Sequence, residues 1–145
     1  MDNVVVKIIG VQKDIYGEET CIETTVLGRY YLKNGVHYLT YIDEPLSREG
    51  FQTTTLLKVY SDHIILARTG NVEQRQVFRL GDRTSSTYAT PYGNMELSIL
   101  TRQIKADFRV ASGAIDIAYD LEVDGQWQSE NVLSITIQEG QNFGH

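Results

Sequence analysis

Apolar and polar residues alternate along several stretches of this chain. Met95, Leu97 and Ile99 fall on one face of an extended segment, and Ile115, Ile117, Tyr119, Leu121 and Val123 fall on one face of another. Asp116, Asp120 and Glu122 lie opposite that second row, and Leu133, Ile135 and Ile137 repeat the rule. A period of two belongs to a β-strand with one buried and one solvated face. Turn signals separate the stretches: Asn34-Gly35, Ser61-Asp62, Gly70-Asn71, Gly81-Asp82, Pro91-Tyr92-Gly93-Asn94 and Asp124-Gly125. The pattern predicts ten strands, near 3–13, 19–32, 36–42, 52–60, 63–69, 72–80, 83–90, 94–105, 114–123 and 127–138. No segment keeps a helical period over a window of about 11 residues, although a short helical turn competes at 101–109. An all-β antiparallel meander of about 8–10 strands follows, and the length of several strands favours closure into a barrel.

The turns set the register, because a slip of one residue moves a whole strand to the other face. A tight loop at Ser61-Asp62 sets Val59 against Ile64, Leu57 against Leu66 and Thr55 against Arg68. The apolar pairs define the core side, so Arg68 belongs to it. At Gly70-Asn71 a two-residue loop would turn Glu73, Arg75 and Arg79 inward, whereas an odd-length loop turns Gln74, Gln76, Phe78 and Leu80 inward. Unpaired buried charges are costly, so the odd-length loop is expected. The same argument at Asp124-Gly125 adds a loop residue, pairing Val123 with Trp127, Tyr119 with Asn131 and Ile117 with Leu133. Asn34-Gly35 is a type I′ turn signal. Tyr30, Tyr31, Tyr38 and Tyr41 occupy both faces beside it and are expected at the rim, with partly exposed hydroxyls.

The interior so defined is aliphatic, yet it carries Arg68, Gln74, Gln76, Thr101, Tyr119 and Asn131, with no Asp or Glu on the inward rows assigned. A guanidinium cannot shed its proton and requires a partner. Three arrangements satisfy Arg68. It reaches water at the barrel mouth, being close to a turn; it is held by the amide carbonyls of Gln74, Gln76 and Asn131; or it receives an anionic ligand, which its forked donors suit. Arg68, Gln74, Gln76, Tyr119 and Asn131 are therefore the candidate ligand-binding residues.

Composition narrows the function classes. The 145 residues suit one domain over 1–140 with a tail at 141–145, the segment from Gln138 onward reading as frayed. The formal net charge of −6 argues against nucleic acid or an anionic membrane surface as partner. Cys21 is the single cysteine, so no internal disulfide forms, and no neighbouring His or basic cluster marks it as reactive. The start MDNVVVKIIG is too short in apolar residues for a signal peptide core or a membrane span, and a cytoplasmic protein is expected.

Catalytic chemistry is sparse. His37, His63 and His145 lack metal-ligand spacing, so no metal site and no cofactor are expected. No phosphate loop, nucleophile elbow or carboxylate pair stands out. The hydroxyl runs Thr53-Thr54-Thr55 and Thr84-Ser85-Ser86-Thr87 suit strand pairing, and Tyr92 is expected to pack over a barrel end.

The order of segments is also familiar. VVVKIIGVQKD, GRYYLKNGVHYLTYIDE, FQTTTLLKVY, ILARTGNVEQRQVF, TPYGNMELSILTRQI and IAYDLEVDGQWQSENVLSITI together resemble the YwiB-like family of small bacterial β-barrel proteins, from about Val4 to Ile137. The TPYG turn and the ARTG segment are its most recognisable pieces. The resemblance implies a calycin or lipocalin-like barrel in a cytosolic bacterial protein of Gram-positive lineage, and it brings no established activity, cofactor or active-site residues. Secreted lipocalins carry a signal peptide, and none is expected from the start of this chain. Two functional expectations lead, ahead of a third, an enzyme with an interior site, which only scattered hydroxyls and Arg68 support. One is a barrel that takes a small anionic or amphiphilic ligand in or at its mouth. The other is an interaction module, homodimeric through rim tyrosines or edge strands.

Overall fold

The computed structural model describes residues 2–140. Its strands are β1 (Asp2–Asp14), β2 (Glu19–Lys33), β3 (Val36–Ile42), β4 (Thr53–Val59), β5 (Ile64–Gly70), β6 (Gln74–Phe78), β7 (Arg83–Thr90), β8 (Gly93–Arg109), β9 (Ser112–Val123) and β10 (Gln126–Glu139). All ten expected strands are present, and 101–109 continues β8 rather than forming a helical turn. They form one antiparallel sheet in the order β6-β5-β4-β3-β2-β1-β10-β9-β8-β7. Each strand thus lies beside its neighbours in sequence, and the first pairs with the last, Val4 opposite Glu139 and Asp14 opposite Ser129. The sheet curls into a nearly closed barrel whose seam lies between β6 and β7. There the backbone makes a single bridge, Glu73 with Ala89.

Side chains complete the seam. The Gln76 amide donates to Thr84 Oγ1 at 2.7 Å and to the Val77 carbonyl at 2.9 Å, and its oxygen accepts from Ser86 Oγ at 2.7 Å. Gln74 Nε2 donates to Ser86 Oγ at 3.2 Å. The hydroxyl run of β7 therefore bonds across the seam rather than serving strand propensity alone.

Two glycine-bearing turns fix the hairpin twists. Asn34 (φ 53°) and Gly35 (φ 77°) link β2 to β3, and Asp124 (φ 49°) and Gly125 (φ 84°) link β9 to β10, both in the left-handed region that type I′ turns require. The second turn corrects one expectation. The loop is two residues long and pairs Val123 with Gln126, so Trp127 faces Glu122 rather than Val123. The extra residue enters as a bulge between Trp127 and Ser129, which restores the expected pairs of Tyr119 with Asn131 and Ile117 with Leu133. A second bulge between Thr101 and Gln103 shifts the inward row of β8. Leu97, Ile99 and Thr101 precede it, and Ile104 and Phe108 follow it against the core.

The register at Ser61-Asp62 is as expected, with Val59 opposite Ile64, Leu57 opposite Leu66 and Thr55 opposite Arg68. Arg68 also faces Gln74, Leu66 faces Gln76 and Ile64 faces Phe78. Leu80 departs from this row, because β6 ends at Phe78 and Leu80 is exposed.

One end of the barrel is packed solid. Val4, Val6, Tyr30, Leu39, Ile115 and Ile137 are buried together, and Phe108 closes over them edge-on to Tyr30 and His37 at 6.4 and 5.3 Å between ring centroids. Tyr30 and Tyr41 are accordingly core residues, not rim residues. Tyr31 and Tyr38 stack on the outer wall at 4.5 Å. Tyr92 is 90% exposed at its turn and covers nothing. Gln138 and Glu139 continue β10, and the Gly140 N–H donates to the Asn3 carbonyl at 2.7 Å, so the frayed segment does not begin at Gln138. The tail expected at 141–145 lies outside the described residues.

The other end is incomplete on one side. Strand β3 pairs with β2 only from Gly28 to Lys33, so residues 19–27 of β2 have a ladder with β1 alone. After Ile42 the chain leaves the sheet through a single 3-10 turn, Glu44–Leu46, before β4. This strap is tied down by Thr53. Its hydroxyl donates to the Leu46 carbonyl at 2.9 Å and accepts from the Val72 N–H at 3.2 Å. Asn71 Nδ2 donates to the same carbonyl at 3.2 Å.

Candidate functional site

Arg68 projects inward from β5 toward the incomplete end. Its terminal nitrogen donates to Gln74 Oε1 at 2.6 Å, a charge-assisted bond to the residue directly across the β5–β6 ladder. The strap brings an acid to it: Asp43 Oδ2 stands 3.7 Å from Arg68 Nε. That distance is within ion-pair range but too long for a hydrogen bond. Asp43 Oδ2 instead accepts from Thr55 Oγ1 at 3.0 Å. Arg68 Nε is buried with no hydrogen-bond acceptor.

An acidic partner for Arg68 was not among the sequence expectations, and Asp43 is the correction. Its signal was present, since Leu39, Tyr41 and Asp43 share one strand face and the inward row runs one step past the strand end. Thr55 also acquires a role beyond strand pairing, holding that carboxylate in place.

Arg68 and Leu133 both border three adjoining cavities. The first, about 190 Å³, lies between the inner face of β1–β2 and the strap, lined by apolar side chains including Ile8, Ile22, Leu46 and Leu66. The second, about 270 Å³, adds Gln12, Thr20, Tyr119 and Asn131. The third, about 210 Å³, runs toward the seam past Gln74, Gln76, Phe78 and Tyr88. All five candidate residues therefore border the same interior space, although their commitments differ. Gln76 spends both ends of its amide on the seam. Asn131 Nδ2 donates to Ser129 Oγ at 2.8 Å. Tyr119 leans on Phe78 with ring centroids 5.4 Å apart. Gln12 and Gly10 join them on the inward row of β1, and no sequence signal singled them out.

The charge pair polarises its surroundings. Burial raises the Tyr41 hydroxyl to about 12, with the Asp43 carboxylate adding to the shift and Arg68 and the Thr55 hydrogen bond opposing it. Burial likewise raises Tyr119 and Tyr88, and the Arg68 charge opposes both shifts. All three phenols are neutral donors near neutral pH. The site thus offers a guanidinium, neutral hydroxyls and amides above an apolar floor, groups that can hold a polar moiety. Among the described residues, no three His, Cys, Asp or Glu side chains gather closely enough to hold a metal ion.

The outer wall pairs its own charges. Arg83 meets Glu122 at 2.6 Å and Lys7 meets Glu23 at 3.1 Å. Arg102 Nε donates to Asp120 at 2.8 Å across the β8 bulge. Cys21 is exposed.

Residues 6–135 match a family model described as a domain of unknown function, DUF1934. The chain belongs to the DUF1934 family. The chain is also similar to an uncharacterized β-barrel protein, YwiB, of Bacillus subtilis (strain 168), 31% identical over 124 residues, or 86% of this chain and 85% of that protein. The crystal structure of the ywiB protein from Bacillus subtilis superimposes with a TM-score of 0.86 at 28% identity, covering 97% of this chain and 93% of that one. The DUF1934 match and the YwiB likeness bear out the resemblance read from the segment order, and both span the strands that surround Arg68. Among the described residues, no helix is long and apolar enough to cross a membrane.

Proposed function

We propose that this protein is a cytoplasmic, lipocalin-like binding barrel whose small ligand presents an anionic group to Arg68. The observation that supports this reading is the Arg68 Nε–H, buried at the junction of three cavities without an acceptor. A buried donor left unsatisfied costs about 1–3 kcal/mol, more when charged. Asp43 neutralises the guanidinium in part but stands off from that donor. An incoming carboxylate or phosphate oxygen would accept from it, and the apolar floor would take the remainder of the molecule.

The test is an NMR titration of the Arg68 Nε–H with acetate and with inorganic phosphate, in the wild type and in Arg68→Met. The reading expects a saturable shift at Arg68 and at the Gln74 and Asn131 side chains, abolished by the substitution. Linear, unsaturable drift with both anions would overturn it.

One observation favours a second reading, self-association through a strand edge. Residues 19–27 of β2 have a β-partner on one side only, with Leu27 exposed beside them. Tyr30 and Tyr41 cannot contribute, since both are buried. Sedimentation velocity across a hundredfold concentration range separates the two readings, because a concentration-independent monomer would remove the second.

A further inference from the structure

Gly10 and Gly28 interrupt the inward rows of β1 and β2, and they are opposites. A Cβ at Gly28 would stand 2.7 Å from the Thr40 carbonyl oxygen and 2.8 Å from Val6 Cγ2, so close packing demands the glycine there. A Cβ at Gly10 would meet no atom within 4 Å, and the backbone there is not in the left-handed region. Neither sterics nor backbone conformation requires a glycine at position 10. In a strand interior it is destabilising by about 0.5–1 kcal/mol relative to alanine. Its one structural consequence is an uncovered patch of backbone on the cavity wall, as at sites where a ligand approaches closely.

That patch has defined borders. Gly10 is opposite Ile22 on β2 and opposite Leu133 on β10. With strands about 4.8 Å apart, those two apolar side chains stand on backbones roughly 10 Å apart, walling a notch the width of one hydrocarbon chain. The cavities of about 190 and 270 Å³ meet there, sharing Gly10, Ile22, Arg68 and Leu133. Ile22 is inward-facing yet 55% exposed, so the notch is open to solvent on the β2 side, where β3 is missing.

We infer that Gly10 is a specificity-determining residue, and that the ligand is a straight-chain carboxylate whose methylene chain lies over the Gly10 backbone between Ile22 and Leu133, its carboxylate on Arg68. This rests on the binding-barrel reading and deepens it. A slim chain fills the notch and covers apolar surface on both walls, whereas a ring or branched group of equal carbon number meets Ile22 and Leu133 before reaching the backbone.

The test is calorimetric titration with acetate, butyrate, hexanoate, octanoate and cyclohexanecarboxylate. Affinity is expected to rise about threefold to fourfold per added methylene as apolar surface is covered, with cyclohexanecarboxylate weaker than hexanoate despite its extra carbon. Gly10→Leu, whose side chain enters the notch, is expected to flatten the series. Gly10→Ala fits the open space, and it keeps the test decisive if the leucine variant folds poorly by losing part of the chain-length dependence. If acetate binds through Arg68 but affinity ignores chain length, the ring binds equally well, or both Gly10 variants keep the full series, this inference is overturned and the anion reading stands. If no carboxylate binds in the wild type, this inference falls, and the anion reading falls with it only where inorganic phosphate also fails to bind.

Discussion

The Gln76 side-chain oxygen accepts a hydrogen bond from Ser86 Oγ at 2.7 Å, across the one gap in the barrel wall where the backbone ladder is reduced to a single bridge. Gln76 is 1% exposed, so its amide is largely withdrawn from solvent and a lost partner is costly. Gln76→Leu leaves the Ser86 hydroxyl without its acceptor and the Thr84 hydroxyl without its donor, while Gln74 still donates to Ser86 and Thr84 still donates to the Val77 carbonyl, and we expect a loss of about 1–3 kcal/mol in urea denaturation. Native-state hydrogen exchange should show amides of β6 and β7 opening first. Equal acceleration in β1 and β10 would mean that the seam is not a separate unit.

Arg68 and Asp43 are 22% and 13% exposed at their side chains and depend on each other. Arg68→Met leaves the Asp43 carboxylate with Thr55 alone and should cost about 1–3 kcal/mol. Adding Asp43→Asn removes the stranded charge, and the double variant should recover part of that loss. A double-mutant cycle by chemical denaturation measures the coupling, expected near 1–2 kcal/mol; strictly additive effects would show that the 3.7 Å separation is not an energetic pairing.

The two strand glycines predict opposite responses to the same methyl group. Gly28→Ala forces the Thr40 carbonyl and Val6 apart and should destabilise by about 1–3 kcal/mol. Gly10→Ala should be neutral or stabilising by up to about 1 kcal/mol. Paired thermal melts check both, and a larger loss at Gly10 than at Gly28 would contradict the steric difference.

Histidine protonation should loosen the packed end of the barrel. His37 Nδ1 and Tyr30 Oη are 2.6 Å apart, and burial lowers the His37 pKa from the ordinary 6.5. The unfolded chain then binds the proton more readily than the folded one, so stability is complete above about pH 6.5 and falls as the pH drops below it. The expected midpoint decline between pH 7 and 5.5 should be smaller in His37→Gln. An identical decline in both proteins would assign the effect to other groups.

Strand number, turn placement and most of the register were legible in the sequence because period-two burial and turn chemistry are local signals. Arg68 could be placed inside from Leu57–Leu66 pairing alone. What escaped depended on long-range geometry. Asp43 reaches Arg68 only because the strap folds back, tied by Thr53 to Leu46 and Val72. Tyr30 was misjudged because Phe108, distant in sequence, covers that end, and Tyr41 because it lies inside beside Asp43 and Arg68. The extra residue of the last hairpin was detected by its effect on parity, but parity cannot distinguish a longer loop from a bulge at 127–129. Gly10 resembled any other strand glycine until its empty surroundings were known.

The pairing of β1 with β10 makes the covalent path a ring broken at adjacent points, Val4 lying opposite Glu139. A circular permutant that joins those points and is cut at Gly81-Asp82 would follow the same circuit from β7 round to β6. Every full ladder would then connect strands consecutive along the chain, while the amide and hydroxyl contacts of Gln74, Gln76, Thr84 and Ser86, with the Glu73–Ala89 bridge, would be made between distant segments. Contact order, and with it the folding barrier, would fall.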